Sequence, residues 1–368
     1  MTSPVNVVLK DVDSWAYQLQ NLKPSAIPKD AFDVLVVDYS RDGGESGALD
    51  ALDILTLRKR PSRKDRVVLC YLSIGEAEDY RFYWDTGWIE SGRPRAPSAK
   101  GPQPGDTPKP VVGSAAAPAI ASPPLSEKSA GVPDPTIPIA TLSAAAPVWL
   151  AEENPEWRGN FLVRYWEKGW QDIIFGSPDS FLDKIMAAGF DGIYLDKIDS
   201  NDDWQKRGRA GAEREMVDFV KRLSSYARAR RPGFLVVPQN GDELLLHADY
   251  LATIDAIAKE DLLFGGDGRK DGEPNPEQEI AASARRLRLA RRAGKPVLAV
   301  DYIKDRTQIR TAARRYREWG FVPFFASREL KDAPEDILSR VDAAEPVVQP
   351  SSRREPARKG SRTGSGGR

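Results

Sequence analysis

Short apolar runs that close on a carboxylate recur along this chain, and no other feature narrows its fold as sharply. Phe32-Asp33-Val34-Leu35-Val36-Val37-Asp38-Tyr39, Gly192-Ile193-Tyr194-Leu195-Asp196 and Pro296-Val297-Leu298-Ala299-Val300-Asp301-Tyr302 are each dominated by β-branched and other apolar residues. That length and composition suit strands buried on both faces. Helical periodicity lies between such runs, from Ala48 to Lys59, from about Gln205 to Arg230, from Pro276 to Ala293 and from about Asp305 to Trp319. Alternation of buried strand and helix predicts a parallel sheet. A strand covered on both faces tolerates a charge only where its backbone emerges, so each closing carboxylate marks a strand exit. In parallel α/β proteins, chemistry is assembled at those exits.

Eight strands are expected, near residues 15, 34, 68, 193, 235, 252, 298 and 323, and they predict a single α/β domain, a closed (β/α)8 TIM barrel. The sixth is read as Tyr250-Leu251-Ala252-Thr253-Ile254-Asp255, with residues 256–261 as its exit loop. An open doubly wound sheet is the runner-up, but no glycine fingerprint follows the first strand. The helix leading into Gly192 is expected to take Ser177 as N-cap and Pro178 as its first residue, and to stop at Gly189.

The barrel is assigned to residues 12–345. Residues 92–147 interrupt it with a Pro-, Ala-, Ser- and Gly-dominated stretch that has no aromatics, which predicts a disordered insertion. Residues 346–368 predict a disordered basic tail. Pro350 to Arg368 carries six basic residues against Glu355, a net of +5; since the chain has 54 basic and 54 acidic residues, the body before it carries −5. Nothing in that balance points to nucleic acid.

One cysteine, Cys70, and one histidine, His247, exclude an internal disulfide, a cysteine-rich zinc site and a multi-histidine metal centre. Cys70 sits inside an apolar run and reads as core, and His247 also reads as structural. Catalysis therefore falls to carboxylates, with no cofactor and no metal expected. No apolar run approaches the roughly 20 residues of a spanning helix, so no membrane span is expected. The start, Met1-Thr2-Ser3-Pro4-Val5-Asn6, has no export-signal pattern. Location and oligomeric state stay open.

Asp38, Glu76, Asp196, Asp255 with Glu260, and Asp301 are expected to converge on one barrel mouth. Such a ring without histidine or cysteine suits glycoside hydrolysis or a hard divalent cation. Tyr17, Tyr39, Tyr71, Trp166, Tyr194 and Tyr302 beside the same exits favour a sugar ring, and Arg41, Arg164 and Lys197 would tune carboxylate acidity. Asp196 or Asp199 could instead cap the next helix. Trp84, Trp88, Trp149, Trp157, Trp166 and Trp170 are expected to divide evenly between a stacking platform and the core.

Five stretches together carry a family resemblance: Cys70-Tyr71-Leu72-Ser73-Ile74-Gly75-Glu76-Ala77-Glu78, Val163-Arg164-Tyr165-Trp166, residues 189–196, Pro238-Gln239-Asn240-Gly241 and residues 254–261. Over roughly residues 12 to 328, apart from the insertion, the chain resembles glycoside hydrolase family 114, the endo-α-1,4-polygalactosaminidase family. The resemblance implies a (β/α)8 barrel that cleaves α-1,4-linked galactosamine polymers, in a family often exported. It implies Asp196 and Glu260 as the catalytic pair, matching the family's aspartate after the fourth strand and glutamate after the sixth. Asp38, Tyr39, Tyr71, Glu76, Arg164, Trp166, Tyr194, Asp199, Asn240, Asp255 and Asp301 are the expected substrate-binding residues, and a polysaccharide the expected partner. A carbohydrate-binding or cell-envelope barrel with little hydrolysis, and a divalent-metal-dependent hydrolase, are the alternative readings.

Overall fold

The computed structural model describes residues 9–90, 139–266 and 268–334. The expected basic tail, and the expected insertion from 92 to 138, lie outside the described residues. Residues 139–147, expected to belong to that insertion, are instead packed. Glu90 N donates to Thr141 O (3.0 Å), Ser143 N to Trp88 O (2.9 Å), and Ala140 N reaches the buried Glu153 Oε2 at 2.8 Å.

In chain order the strands are β1 Trp15–Gln18, β2 Val34–Val37, β3 Val67–Ser73, β4 Glu76–Glu78, β5 Leu150–Glu153, β6 Asn160–Val163, β7 Gly192–Asp196, β8 Leu235–Pro238, β9 Ile257–Glu260, β10 Val297–Asp301 and β11 Val322–Phe325. β1, β2, β3, β7 and β8 form one parallel run, and β9, β10 and β11 another. The two runs meet at a parallel bridge between Gln239 and Ala258, where Asn240 N donates to Ala258 O (2.9 Å). The ring closes between β11 and β1, where Trp15 Nε1 donates to Val322 O at 3.0 Å. This is the eight-stranded barrel that the alternating runs predict.

Helices cover the outside: α1 Ala51–Arg58, α2 Lys168–Ile174, α3 Phe181–Ala188, α4 Ser200–Lys206, α5 Ala212–Arg230, α6 Ala248–Thr253, α7 Glu277–Arg292 and α8 Arg306–Glu318. Local chemistry sets their limits. Asp50 caps α1 through Leu52 N and Asp53 N, and Asp53 returns the bond to Asp50 N. Asp305 caps α8 through Thr307 N and Gln308 N. α3 starts three residues later than expected, with Ser180 rather than Ser177 at the N-cap, and the Ser180 hydroxyl binds Asp183 (2.6 Å). It stops at Gly189 as expected, in the left-handed conformation (φ 95°). The single helix expected over 205–230 is two, α4 and α5, with Gly208 and Gly211 between them.

The expected sixth strand is a correction. Residues 248–253 form α6, and the strand is β9, within the stretch read as a loop. Leu251-Ala252 and Ile257-Ala258 are both short apolar pairs, and length alone does not separate a helical turn from a buried strand.

Alternation along the strands fills the barrel interior with aromatics. Tyr17 lies 5.0 Å from Tyr194 and Trp15 lies 5.5 Å from Phe324, all at most 5% exposed. β4, β6 and β5 make a small antiparallel sheet, inserted in the chain between β3 and β7. The tryptophans expected to split evenly mostly pack there. Trp84, Trp88, Trp149 and Trp170 contact one another in sequence at 5.1–5.2 Å, and Trp170 Nε1 donates to Ile74 O. Of the six, Trp157 is the exposed one.

Candidate active site

Three neighbouring strand exits build the site. β7 ends on Asp196, β8 runs into Gln239 and Asn240, and β9 ends on Glu260. Gln239 Nε2 donates to Asp196 Oδ1 at 3.0 Å and to Glu260 Oε1 at 2.9 Å. Both bonds leave one nitrogen, so the two oxygens are at most about 6 Å apart. Asp196 also accepts from the Tyr71 hydroxyl (2.7 Å) and from Lys197 N (2.7 Å). Glu260 accepts from Asn240 Nδ2 (2.9 Å) and from the Tyr302 hydroxyl (2.9 Å). Neutral donors thus surround both carboxylates.

Burial and mutual repulsion make both carboxylates reluctant to ionise. Asp196 is pushed up to about 7, first by burial and next by the Glu260 charge, against the pull of the Tyr71 bond. Glu260 is raised as well, by burial and then by Asp261, with Asn240 and Tyr302 opposing. Two such groups share protons as a unit rather than titrating separately.

The backbone at these exits is strained. Lys197 (φ 59°), Asn240 (φ 61°) and Asp261 (φ 51°), each one or two residues past the end of β7, β8 or β9, are left-handed without being glycine. Gly75, between β3 and β4, lets this corner close: a Cβ there would lie 2.1 Å from Lys197 O. Through that contact the turn is pressed against the exit of β7.

The other expected residues separate into groups. Glu76 is near: 3% exposed, it pairs with Lys197 Nζ (3.2 Å) and accepts from Asn154 Nδ2 (2.8 Å), and burial raises it despite the lysine. Asp199 is near too. Its Oδ2 takes a long bond from Asn240 (3.4 Å), its Oδ1 is buried with no hydrogen-bond partner among the described residues, and it makes no side-chain cap to α4. Tyr194 forms the floor and donates to Gln239 Oε1 at 2.6 Å.

Other residues face elsewhere. Asp38 is fully buried and bidentate with Arg81. Tyr39 packs edge-on against Phe181 of α3 and donates to Glu45, outside the barrel. Asp301 also points outward, accepting from Tyr316 of α8 (2.6 Å) and from Leu263 N, and burial pushes it up to about 6. Asp255 sits at the opposite end of the barrel, bound by Arg228 and Val236 N at 2.7 Å. Arg164 donates to Leu150 O. Trp166 packs on Trp204 at 4.9 Å, and the Arg209 guanidinium lies 3.7 Å from its ring centre. The mouth is thus less acidic than a ring of exits predicts, and Lys197 and Lys259 stand among the carboxylates that remain.

Gln239, Tyr302, Lys259 and the Asp261–Arg328 pair (2.8 and 2.9 Å) lie outside the expected set of catalytic and binding residues. Strand parity is the signal that finds the first two: Gln239 follows Val237 by two residues and Tyr302 follows Val300 by two. Parity also turns Asp301 and Tyr39 outward.

Comparison with known proteins agrees with the architecture. The model of glycoside-hydrolase family GH114 matches residues 138–345, which leaves β1 to β4 outside the matched range. An uncharacterized protein of Methanocaldococcus jannaschii is 33% identical over 333 residues, covering 86% of this chain and 77% of that one. One of Thermotoga maritima is 30% identical over 353 residues, covering 93% and 88%. The glycoside hydrolase domain of PelA from Pseudomonas aeruginosa superposes with a TM-score of 0.54 at 16% identity, covering 88% of this chain and 98% of that domain, a likeness of fold. Among the described residues no helix is long and apolar enough to cross a membrane. With more than half of its length matched and its barrel in place, the chain belongs to glycoside-hydrolase family GH114.

Proposed function

We propose that the chain is an endo-acting glycosidase that cleaves α-1,4-linked galactosamine-containing polysaccharide, with Asp196 as nucleophile and Glu260 as general acid/base. The observation that carries this reading is the amide shared by the two carboxylates. Paired carboxyl groups about 5–5.5 Å apart act by retention, and those about 6.5–9.5 Å apart by inversion. With the facing oxygens at most about 6 Å apart, the pair is close enough for retention, which is the outcome this reading takes. In this reading, protonated Glu260 gives its proton to the glycosidic oxygen as the bond to C1 breaks. Asp196 bonds to C1 and holds the sugar as an ester. Glu260 then takes a proton from water, the water oxygen attacks C1, and Asp196 leaves as the carboxylate.

The family's motifs support the substrate class, and so does charge. Asp199, with one buried oxygen that has no hydrogen-bond partner among the described residues, flanks the pair. Free amines of galactosamine are cationic near neutral pH and are drawn to such groups. The test is product release from a panel of polysaccharides that includes acetylated and deacetylated α-1,4-galactosamine polymers, with and without a chelator. Chelator-insensitive release of short galactosamine oligomers is expected. Release from other glycans only would overturn the substrate, and loss of all activity on chelation would overturn the carboxylate mechanism.

A further inference from the structure

Gln239 is 2% exposed, and its side chain makes three hydrogen bonds that leave it one orientation. Its Oε1 accepts from the Tyr194 hydroxyl at 2.6 Å, and Tyr194 is itself fully buried against Trp15 and Tyr17. Flipping the amide would turn the carbonyl oxygen, an acceptor, onto two carboxylates and take both donors away from them. The backbone is held as well: Gln239 N donates to Leu195 O at 2.7 Å, and the residue is bridged to Ala258 of β9. Both hydrogens of Nε2 are therefore committed, one to Asp196 and one to Glu260.

The chemistry of this position is specific. A lysine or arginine here would put a cation between the pair, as Arg81 stands between Asp38 and Glu78. A glutamate would add a third like charge. A leucine would give neither carboxylate a donor. A neutral double donor draws the two groups together without removing the repulsion that makes them share a proton.

We infer that Gln239 is the positioning residue of the reaction, holding Asp196 and Glu260 at the spacing of a covalent intermediate while leaving them one proton to exchange. The inference rests on the proposed roles of Asp196 and Glu260. Other ionisable groups also face the pair: Tyr71 from β3, Glu76 from β4, Lys197 and Asp199 after β7, Lys259 and Asp261 around the end of β9, and Tyr302 after β10. Tyr17 and Tyr194 feel both charges as well, and the Asp199 charge raises both carboxylates. Gln239 differs in acting through a hydrogen bond to each, so its loss is expected to move both titrations together by removing donors rather than a charge.

The test uses Gln239→Met, close in volume but without donors, and Gln239→Glu, close in shape. Carboxyl 13C NMR of Asp196 and Glu260, assigned by loss of signal in Asp196→Asn and Glu260→Gln, reads the pair without any substrate. The pH profile of kcat/KM on an α-1,4-galactosamine oligomer reads it in catalysis. Losing a hydrogen bond to a charged group disfavours ionisation roughly tenfold, so in Gln239→Met both midpoints should rise by about one pH unit. Both limbs of the profile should move with them, and kcat should fall more than KM changes. Gln239→Glu should add one titrating proton to the cluster. Wild-type midpoints and limbs with a uniformly lower rate would mean a merely structural glutamine and overturn the inference. If the methionine variant does not fold, an unchanged titration in Gln239→Glu overturns it. Wild-type turnover in Asp196→Asn would sink the proposed function instead, leaving the titration to judge Gln239 on its own.

Discussion

Two sets of carboxylates lie at strand exits of this barrel, and the residues around them treat them in opposite ways. On the β2–β4 side, Arg81 binds Asp38 through both oxygens (2.8 and 2.9 Å) and Glu78 through Nε (2.6 Å), while Tyr80 bonds Glu78. Side-chain exposure there is 3% or less. Burial opposes Arg81's charge, but Asp38 and Glu78 outweigh it and raise the guanidinium further. On the β7–β9 side the donors are amides, hydroxyls and one peptide N–H, and Asp196 and Glu260 are only partly buried as residues. A carboxylate at a strand exit is thus no mark of chemistry by itself. A cation as partner fixes its charge and makes it structural. Neutral donors leave its proton negotiable, which general acid–base work requires.

The largest effects should fall on turnover. Asp196→Asn and Glu260→Gln each remove a group of the poised set, and each is expected to cut kcat about 10²–10⁴-fold with the fold intact by circular dichroism. The opposite outcome is expected at the Arg81 cluster. Arg81→Met leaves two buried carboxylates without their cation, which costs about 3–5 kcal/mol. At about 1–2 °C per kcal/mol for a chain of this size, the melting temperature should fall by roughly 5 °C. A stable Arg81→Met protein would erase the contrast.

A third prediction turns the comparison into a pH dependence. Asp196 is raised from 3.8 to about 7 in the folded protein, so its protonated form is the one the fold favours. Its contribution to stability is complete below about pH 4 and is lost as pH rises through about 7. An asparagine in its place has no proton to lose. Asp196→Asn should therefore melt higher than wild type at pH 8, and the gap should close by pH 4. A variant less stable at pH 8 would show that the ionised aspartate is well accommodated.

The smallest effect concerns the substrate's charge. Asp38, Asp301 and Asp255 are withdrawn from the mouth, and Lys197 offsets Glu76. Affinity for an amine-bearing oligosaccharide should weaken only modestly as salt rises. Full N-acetylation should weaken it and flatten the salt dependence. Equal or tighter binding of the acetylated chain at low salt would favour a neutral glycan.

Much of this fold is legible in the sequence because seven of the eight barrel strands are largely apolar on both faces and most are bounded by helices of clear period. The sixth is not, because Tyr250–Thr253 and Ile257–Glu260 are both short, and only the sheet decides which pairs with β10. Asp255 goes with it, since its place at the mouth depends on that strand. Strand exits and motif likeness both point to Asp196, Glu260 and Tyr71, and the fold brings these three side chains together. Asp301 and Tyr39 mislead because exit position says nothing of parity: one residue of register sends a side chain to the helical layer instead of the mouth. Asp38 has the right parity, yet Arg81, 43 residues away in sequence, covers it. Gln239 carries no charge to draw attention, although its motif does.

If Asp196 and Glu260 act as a close pair through a covalent intermediate, that intermediate can be caught. Slowing the second step with Glu260→Gln and supplying an activated α-galactosaminyl donor, whose departure needs no acid, should trap the sugar on the enzyme. Mass spectrometry of the digested protein should then find one added sugar on the peptide that contains Asp196. An adduct on another carboxylate, or rapid turnover to the inverted sugar with no adduct at all, would contradict the pairing.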